Sequence, residues 1–252
     1  MLAPIERFSS RVENYVRYRP GYPVEVLDLL RNECGLTPES VMADVGSGSG
    51  KLTEMLLEAG CRVFGVEPNR EMREAGEQLL KSNPRFTSVA ASAEATSLPY
   101  ESVDLVVAGQ AFHWFDRERS RKEFLRILKP NGWVALIWND RRSDATSFLA
   151  AYEALLREFA TDYELVKHRN LDAGLFAEFF CAEPNLKKFP YAQHFDFEGL
   201  KGRLLSSSYA PECGQPKHEA MLAGLEEVFN THQDGNRVVF DYDTLVYYGQ
   251  LI

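Results

Sequence analysis

Between Val41 and Gly50 the chain reads Val-Met-Ala-Asp44-Val-Gly46-Ser47-Gly48-Ser-Gly50: a short apolar run, an acid, then three alternating glycines. Glycine tolerates positive φ and lets a ligand approach the main chain. A helix opening after such a turn offers free N–H groups. This is the chemistry of holding a nucleotide-like group with backbone. The phosphate-binding pattern G-x-x-x-x-G-K-[ST] does not fit, because three residues separate Gly46 from Gly50 and Leu52 follows Lys51. The dinucleotide pattern G-x-G-x-x-G does not fit either, because Lys51 stands where its last glycine belongs.

Glu67 ends the next apolar run, 21 residues after Gly46. A carboxylate there can accept hydrogen bonds from both hydroxyls of a ribose. Two roles are open to Asp44: bracing the glycine turn, or meeting a ligand amino group through water. Phe112, Trp114 and Phe115 follow the fourth apolar run and suit either core packing or a cationic ligand. His113 lies among them, near the edge where ligands sit. It suits either hydrogen-bonded structure or catalysis. Near the start, Tyr15, Tyr18, Arg19 and Tyr22 form an aromatic and basic segment, and Arg19 can fork onto a carboxylate.

The elements that must position these residues alternate. Strands are predicted at Val41–Val45, Val63–Val66, Phe86–Ala90, Leu105–Ala108 and Trp133–Trp138. Between them come helical patterns: Leu52, Met55, Leu56 and Ala59 ended by Gly60, then Met72, Ala75, Leu79 and Leu80 capped by Asn69. Phe124, Leu125 and Leu128 mark a third, stopped by the Pro130-Asn131-Gly132 turn. Short apolar strands alternating with helices predict a parallel sheet covered on both faces. Beyond residue 140, Phe148 to Phe159 carries a helical stripe and Met221–Phe229 reads as a helix. Leu186–Phe195 and Arg237–Tyr248 read as strands, and 163–185 has no clear pattern. No Pro/Gly/Ser-rich linker divides the chain, so one domain over 1–252 is expected: a cap over 1–40, a binding core over 41–138, and roof helices with closing strands over 139–252.

Composition narrows the function. Of 252 residues, 45% are hydrophobic and 26% charged, which excludes a disordered chain. The longest apolar run, Trp133–Trp138, is far short of the roughly 20 residues a membrane span needs. The net charge of −9 argues against nucleic acid, whose binders cluster Lys and Arg. The densest basic stretch, Arg117–Lys129, is interleaved with acids and reads as a solvated helix face. The first ten residues show no signal-peptide pattern, and the four cysteines lack C-x-x-C spacing. Reduced thiols in the cytoplasm are expected, with no metal site and a small-molecule partner.

Asp44-Val-Gly-Ser-Gly-Ser-Gly50 resembles the first motif of the class I S-adenosylmethionine-dependent methyltransferases. The order that follows is also similar: Gly65-Val66-Glu67, Ala-Ser92-Ala93-Glu94…Leu98-Pro99, Ser102-Val-Asp104-Leu-Val and Leu128-Lys-Pro-Asn-Gly132. The resemblance covers residues 41–138. Tyr15…Arg19-Pro20-Gly21-Tyr22-Pro23 and Gly109-Gln110-Ala-Phe-His113-Trp114-Phe resemble a small-molecule, type 11 branch that includes trans-aconitate-methyltransferase-like enzymes. The resemblance implies a Rossmann-like, doubly wound, seven-stranded and mostly parallel α/β sheet. It also implies an antiparallel C-terminal edge strand and a helical roof.

The same resemblance implies S-adenosyl-L-methionine as cofactor and S-adenosyl-L-homocysteine as product. Asp44, Gly46, Ser47, Gly48, Gly50, Glu67 and Pro68 would hold it on the loop side. Ser92, Ala93 and Glu94 would edge the adenine, with Ser92 standing where the family often has Asp. Gln110 would flank the methionine part, and Arg19 would meet a carboxylate of methionine or substrate. Tyr15, Tyr18, Phe112, Trp114 and Phe115 would pack cofactor or acceptor. His113 is the candidate for catalysis, as a base or a positioning group. A methyl acceptor reacting through a carboxylate or hydroxyl is expected. The alternatives are a non-catalytic cofactor-binding sensor or scaffold, and a nicotinamide-dependent oxidoreductase.

Overall fold

The structure, a computed structural model, describes residues 11–161, 163 and 173–251. Much of the unpatterned stretch, residues 164–172, therefore lies outside the described residues, as does the 1–10 part of the cap. Two helices come first, α1 (Val12–Tyr18) and α2 (Glu25–Cys34). The alternating core follows: β1 (Val41–Val45), α3 (Lys51–Glu58), β2 (Arg62–Val66), α4 (Arg70–Leu80), β3 (Phe86–Val89) and β4 (Val103–Gly109). A 3-10 turn at Phe112–Trp114 leads to α5 (Arg117–Ile127) and β5 (Leu128–Arg141). The C-terminal part adds α6 (Ser147–Phe159), α7 (Ala173–Phe180), β6 (Asn185–Phe195), α8 (Phe197–Leu205), α9 (His218–His232) and β7 (Val238–Gly249).

The seven strands lie in the order β3-β2-β1-β4-β5-β7-β6. The first five are parallel, and β7 runs antiparallel to both β5 and β6. The expected Rossmann-like mixed sheet is therefore present. The antiparallel member of its C-terminal pair, β7, lies just inside β6. Alternation along the strands divides the core. Met42, Leu105, Val107, Ala135 and Ile137 pack under α2 and α3. Ala43, Val45, Val106, Val134 and Leu136 pack under α5 and α7. A third cluster joins α6, α8 and α9 to Val238, Phe240 and Tyr242 of β7.

Three local readings change. The buried face of α4 is Met72, Gly76 and Leu80, while Leu79 is 41% exposed. Gly76 faces the main chain of the glycine turn, where a Cβ would come within 3.3 Å of the Gly48 carbonyl oxygen. A pattern that scores apolar side chains passes over such a glycine. The helix α5 ends at Ile127, before the Pro130-Asn131-Gly132 segment, which lies inside β5 with Asn131 at φ 64. The strand itself runs past the predicted Trp138. Its last partner on β4 is Gly109, opposite Ile137, and from Trp138 to Arg141 it pairs with β7 alone.

Three bases of the stretch Arg117–Lys129, which spans α5 and the start of β5, are paired with acids. Lys122 meets Glu118, Arg126 meets Glu123, and Lys129 meets Asp104 of β4.

Candidate active site

Parallel strands bring their carboxyl ends to one edge, where the following loops meet. Val45 is opposite Val66, and Asp44 is opposite Val107, so Gly46, Glu67 and Gln110 all follow neighbouring strands. The N–H groups of Gly46 and Ser47 both donate to the Val66 carbonyl, at 2.8 and 3.2 Å, tying the turn to β2. Gly46, Gly48 and Gly50 have φ of 73, 56 and 87°, the left-handed region that favours glycine. A Cβ on Gly46 would also come within 2.4 Å of the Ala111 Cβ.

Two acids set the turn. The Glu67 carboxylate accepts the Gly48 N–H at 2.9 Å and the Asn69 N–H at 2.8 Å. Burial raises its pKa, opposed by those two donors and Arg73. Each carboxylate oxygen has a second lone pair, so the group retains capacity for two hydroxyl donors. Asp44 is 1% exposed and accepts the Thr53 hydroxyl at 2.6 Å through Oδ2, while its Oδ1 is buried without a hydrogen bond. Burial lifts Asp44 to about 7, opposed by the Thr53 bond and reinforced by Glu67.

A cavity of about 410 Å³ runs from this turn to the roof. That is within the usual range of roughly 300–1,000 Å³ for small-molecule sites. At the turn end it is lined by Asp44, Gly46, Ser47, Gly48, Glu67 and Pro68. Ser92, Ala93 and Glu94 form one side, and the Glu94 carboxylate accepts the Asp116 N–H at 2.9 Å. Gln110 lines the cavity with φ 59, and its side chain donates to the Asn139 carbonyl at 3.1 Å. His113, Trp114 and Phe115 also line it, and the His113 ring sits 4.4 Å from Trp114 and 5.0 Å from Trp138 between ring centroids. Tyr15 and Arg19 reach it from α1 and its C-terminal end.

Three of the expected site residues stand elsewhere. Phe112 is 1% exposed and packs in the core on Phe176 and Phe179, because the 3-10 turn directs it inward while its neighbours face the cavity. Tyr18 packs on α8, where a Cβ at Gly202 would fall on its ring. Gly50 is the N-cap of α3 and faces Leu80 of α4 rather than the cavity.

Several lining residues were given no site role in the sequence reading, Tyr22 being named there only as part of the aromatic segment. Tyr22 lies against Gly109, whose missing Cβ makes room for the Tyr22 phenol. Asn139 is a junction: it accepts the Thr244 hydroxyl at 2.6 Å and donates to the Gly21 carbonyl at 2.9 Å. Trp138, Arg141, Tyr163, Arg203, Tyr209 and Tyr242 complete the roof end. Two signals were present. Arg141 continues the alternation Ala135, Ile137, Asn139, and Arg203 shares a helix face with Leu200.

The sequence and the fold have counterparts in known proteins. Residues 43–136 match the family described as a methyltransferase domain. An uncharacterized methyltransferase of Schizosaccharomyces pombe is 31% identical over 244 residues, covering 95% of each chain. An uncharacterized methyltransferase-like protein of the same yeast is 29% identical, over 96% of this chain and 94% of its own. A solved structure from Anaeromyxobacter dehalogenans, provisionally named a type II methyltransferase, shares the fold. Its TM-score is 0.67 at 22% identity, over 93% of this chain and 99% of that one.

Proposed function

This chain belongs to the class I S-adenosylmethionine-dependent methyltransferases, and on that footing we propose that it methylates a small-molecule acceptor in the roof end of its cavity. The observation that carries this reading is the single cavity with two chemically different ends. One end offers a glycine turn open to close approach and a held carboxylate; the other offers aromatic rings, phenols and guanidinium groups. We take the whole chain to act as one domain, because both halves line that cavity. The acceptor would react through an oxygen, of a carboxylate or a hydroxyl.

The residues present fit the cofactor. The positive-φ glycines leave the turn open to close approach, and Glu67 is fixed by two N–H donors with lone pairs to spare. In this assignment Glu67 accepts the ribose hydroxyls, while Ser92 and Ala93 edge the adenine. Gln110 flanks the methionine part. Arg19 meets the methionine carboxylate; its Nε is buried with no hydrogen-bond partner, and Nη2 donates to the Ser206 carbonyl at 3.1 Å. When bound, the cofactor supplies a methyl group on a sulfonium: an acceptor lone pair forms the new bond and the carbon–sulfur pair returns to sulfur. The protein supplies alignment and exclusion of water. His113, braced by Trp114 and Trp138, positions the acceptor.

Among the described residues no helix is long and apolar enough to cross a membrane. Free cysteines at 34, 61, 181 and 213 suit a reducing compartment, so we place the protein in the cytoplasm. The test is calorimetry with S-adenosylhomocysteine, then labelled methyl transfer across small organic acids, phenols, amines and quinone precursors. Binding with turnover on one of these classes is the expected result. Tight binding with no turnover on any would leave a sensor or scaffold instead.

A further inference from the structure

The roof end of the cavity holds an excess of buried positive charge. Arg203, on α8, is 4% exposed, and its hydrogen bonds go to neutral groups: the Tyr242 hydroxyl at 3.4 Å and the Ser207 hydroxyl at 3.2 Å. Arg141, on β5, has an 11% exposed side chain and donates to Glu153 at 2.7 Å and to the Tyr163 hydroxyl at 2.9 Å. Its Nε is buried without a hydrogen-bond partner. The two guanidinium groups lie 6.0 and 5.8 Å from the centroid of the same ring, Phe240. Arg19 completes the group. Among the described residues, Glu153 is the carboxylate hydrogen-bonded to any of the three arginines, and it also meets Arg157 at 3.4 Å. Asp140 lines the same cavity but is exposed.

A buried guanidinium is costly unless an anion or several acceptors meet it. Here three such groups face one carboxylate. The methionine carboxylate, in the assignment above, answers Arg19. One positive charge is left over, shared by Arg141 and Arg203. We infer that Arg141 and Arg203 bind a carboxylate of the methyl acceptor, which makes the acceptor a small carboxylic acid anchored in the roof. This rests on the methyltransferase reading and adds the substrate class to it.

Burial and the neighbouring Arg203 lower the Arg19 pKa, whereas around Arg141 and Arg203 burial is outweighed by the phenols, with Glu153 beside Arg141, and both are raised. Burial raises the Tyr209 phenol, but Arg141, Arg203 and Arg19 together bring it below its usual value. Tyr209 therefore feels all three charges. The anchored carboxylate is a handle and not the nucleophile, because lone pairs engaged by guanidinium forks are poor at attacking carbon. No bond forms or breaks at that group. The methylated atom is a second group of the acceptor, nearer His113.

The experiment uses the enzyme loaded with S-adenosylhomocysteine and a panel of small carboxylic acids, each beside its primary amide, read by thermal shift and then calorimetry. Acids are expected to bind and amides of the same shape to bind at least about tenfold more weakly, the loss typical of a charge-assisted bond. Arg203→Met is expected to remove that discrimination while changing S-adenosylhomocysteine affinity by less than about threefold. Its described partners are neutral, so its loss strands no buried carboxylate. Arg203→Lys keeps the charge without the fork and is expected to fall between, which decides the matter should the Met variant not fold. Acids binding no better than amides would overturn the inference. So would acids that bind only in the absence of S-adenosylhomocysteine, because the arginines would then serve the cofactor. Wild-type enzyme that fails to bind S-adenosylhomocysteine would instead defeat the methyltransferase reading beneath it.

Discussion

The Glu67 carboxylate, at the end of β2, accepts the N–H of Gly48 in the glycine turn at 2.9 Å. The acid assigned to the ribose therefore also pins the turn proposed to lie against the cofactor. The first prediction separates the two roles. Glu67→Ala should weaken S-adenosylhomocysteine binding by about tenfold or more, from a charged acceptor worth about 1.5–3 kcal/mol. Analogues lacking a ribose hydroxyl should lose affinity for the wild type and lose less for the variant. Equal discrimination by both proteins, measured by calorimetry, would leave Glu67 as a loop brace alone.

The second prediction contrasts two glycines of the same turn. Gly46→Ala places a Cβ 2.4 Å from the Ala111 Cβ at φ 73, so the protein should lose about 1–3 kcal/mol of stability. At Gly48 the Cβ would meet the flexible end of Met72 at 3.3 Å. Gly48→Val also carries the strain of a β-branched residue at φ 56, about 1–3 kcal/mol, but meets no rigid neighbour, so it should stay folded, with native circular dichroism, while its branched side chain abolishes cofactor binding. Unchanged S-adenosylhomocysteine affinity in folded Gly48→Val would remove the cofactor from this turn.

The third concerns protons. Burial raises Asp44 from about 3.9 when unfolded to about 7 when folded. Between those values the folded state binds more protons, so stability is highest below about pH 4 for this group and falls as pH rises to about 7. Asp44→Asn keeps an acceptor for the Thr53 hydroxyl and removes the titration. Denaturant melts at about pH 5 and 8 should show a smaller pH dependence in the variant. Glu67, also raised by burial, leaves a residual slope. An identical slope in both proteins would mean that Asp44 is ionised throughout.

The fourth tests His113. If it positions the acceptor, His113→Gln retains measurable turnover, raises KM and changes cofactor affinity by less than about threefold. Single-turnover methyl transfer across about pH 5–9 is the measurement. A rate loss of about 10³, with disappearance of an ionisation present in the wild type, would make His113 the general base.

The residues assigned to the cofactor were placed together from the sequence because their signals are local. Asp44, the three glycines and Glu67 sit in one strand-turn-helix-strand unit, where spacing in the chain fixes spacing in the fold. The five parallel strands were legible for the same reason, each bounded by turn residues and apolar enough to be buried on both faces. The acceptor half is assembled from distant pieces. Arg141, Arg203 and Tyr242 meet only because β7 pairs back onto β5. Phe112 and Tyr18 were misplaced because the pattern Phe-His-Trp-Phe, or Tyr-Val-Arg-Tyr, does not say which ring a turn directs inward. Leu79 shows the converse, an apolar residue exposed because a glycine took the contact.

The four residues from Trp138 to Arg141 extend beyond β4 and are held by the ladder to β7, with Arg141 opposite Tyr242. The wall assigned to the acceptor is thus continuous sheet, with its β7-facing main-chain groups paired in the ladder. Such a wall can change its side chains without changing its path. Trp138, Arg141 and Tyr242 form a surface on which selectivity can diverge while the glycine turn and Glu67 stay as they are. In the proposed reading the fold separates a reagent end from a recognition end, and the overhanging strand marks where the second begins.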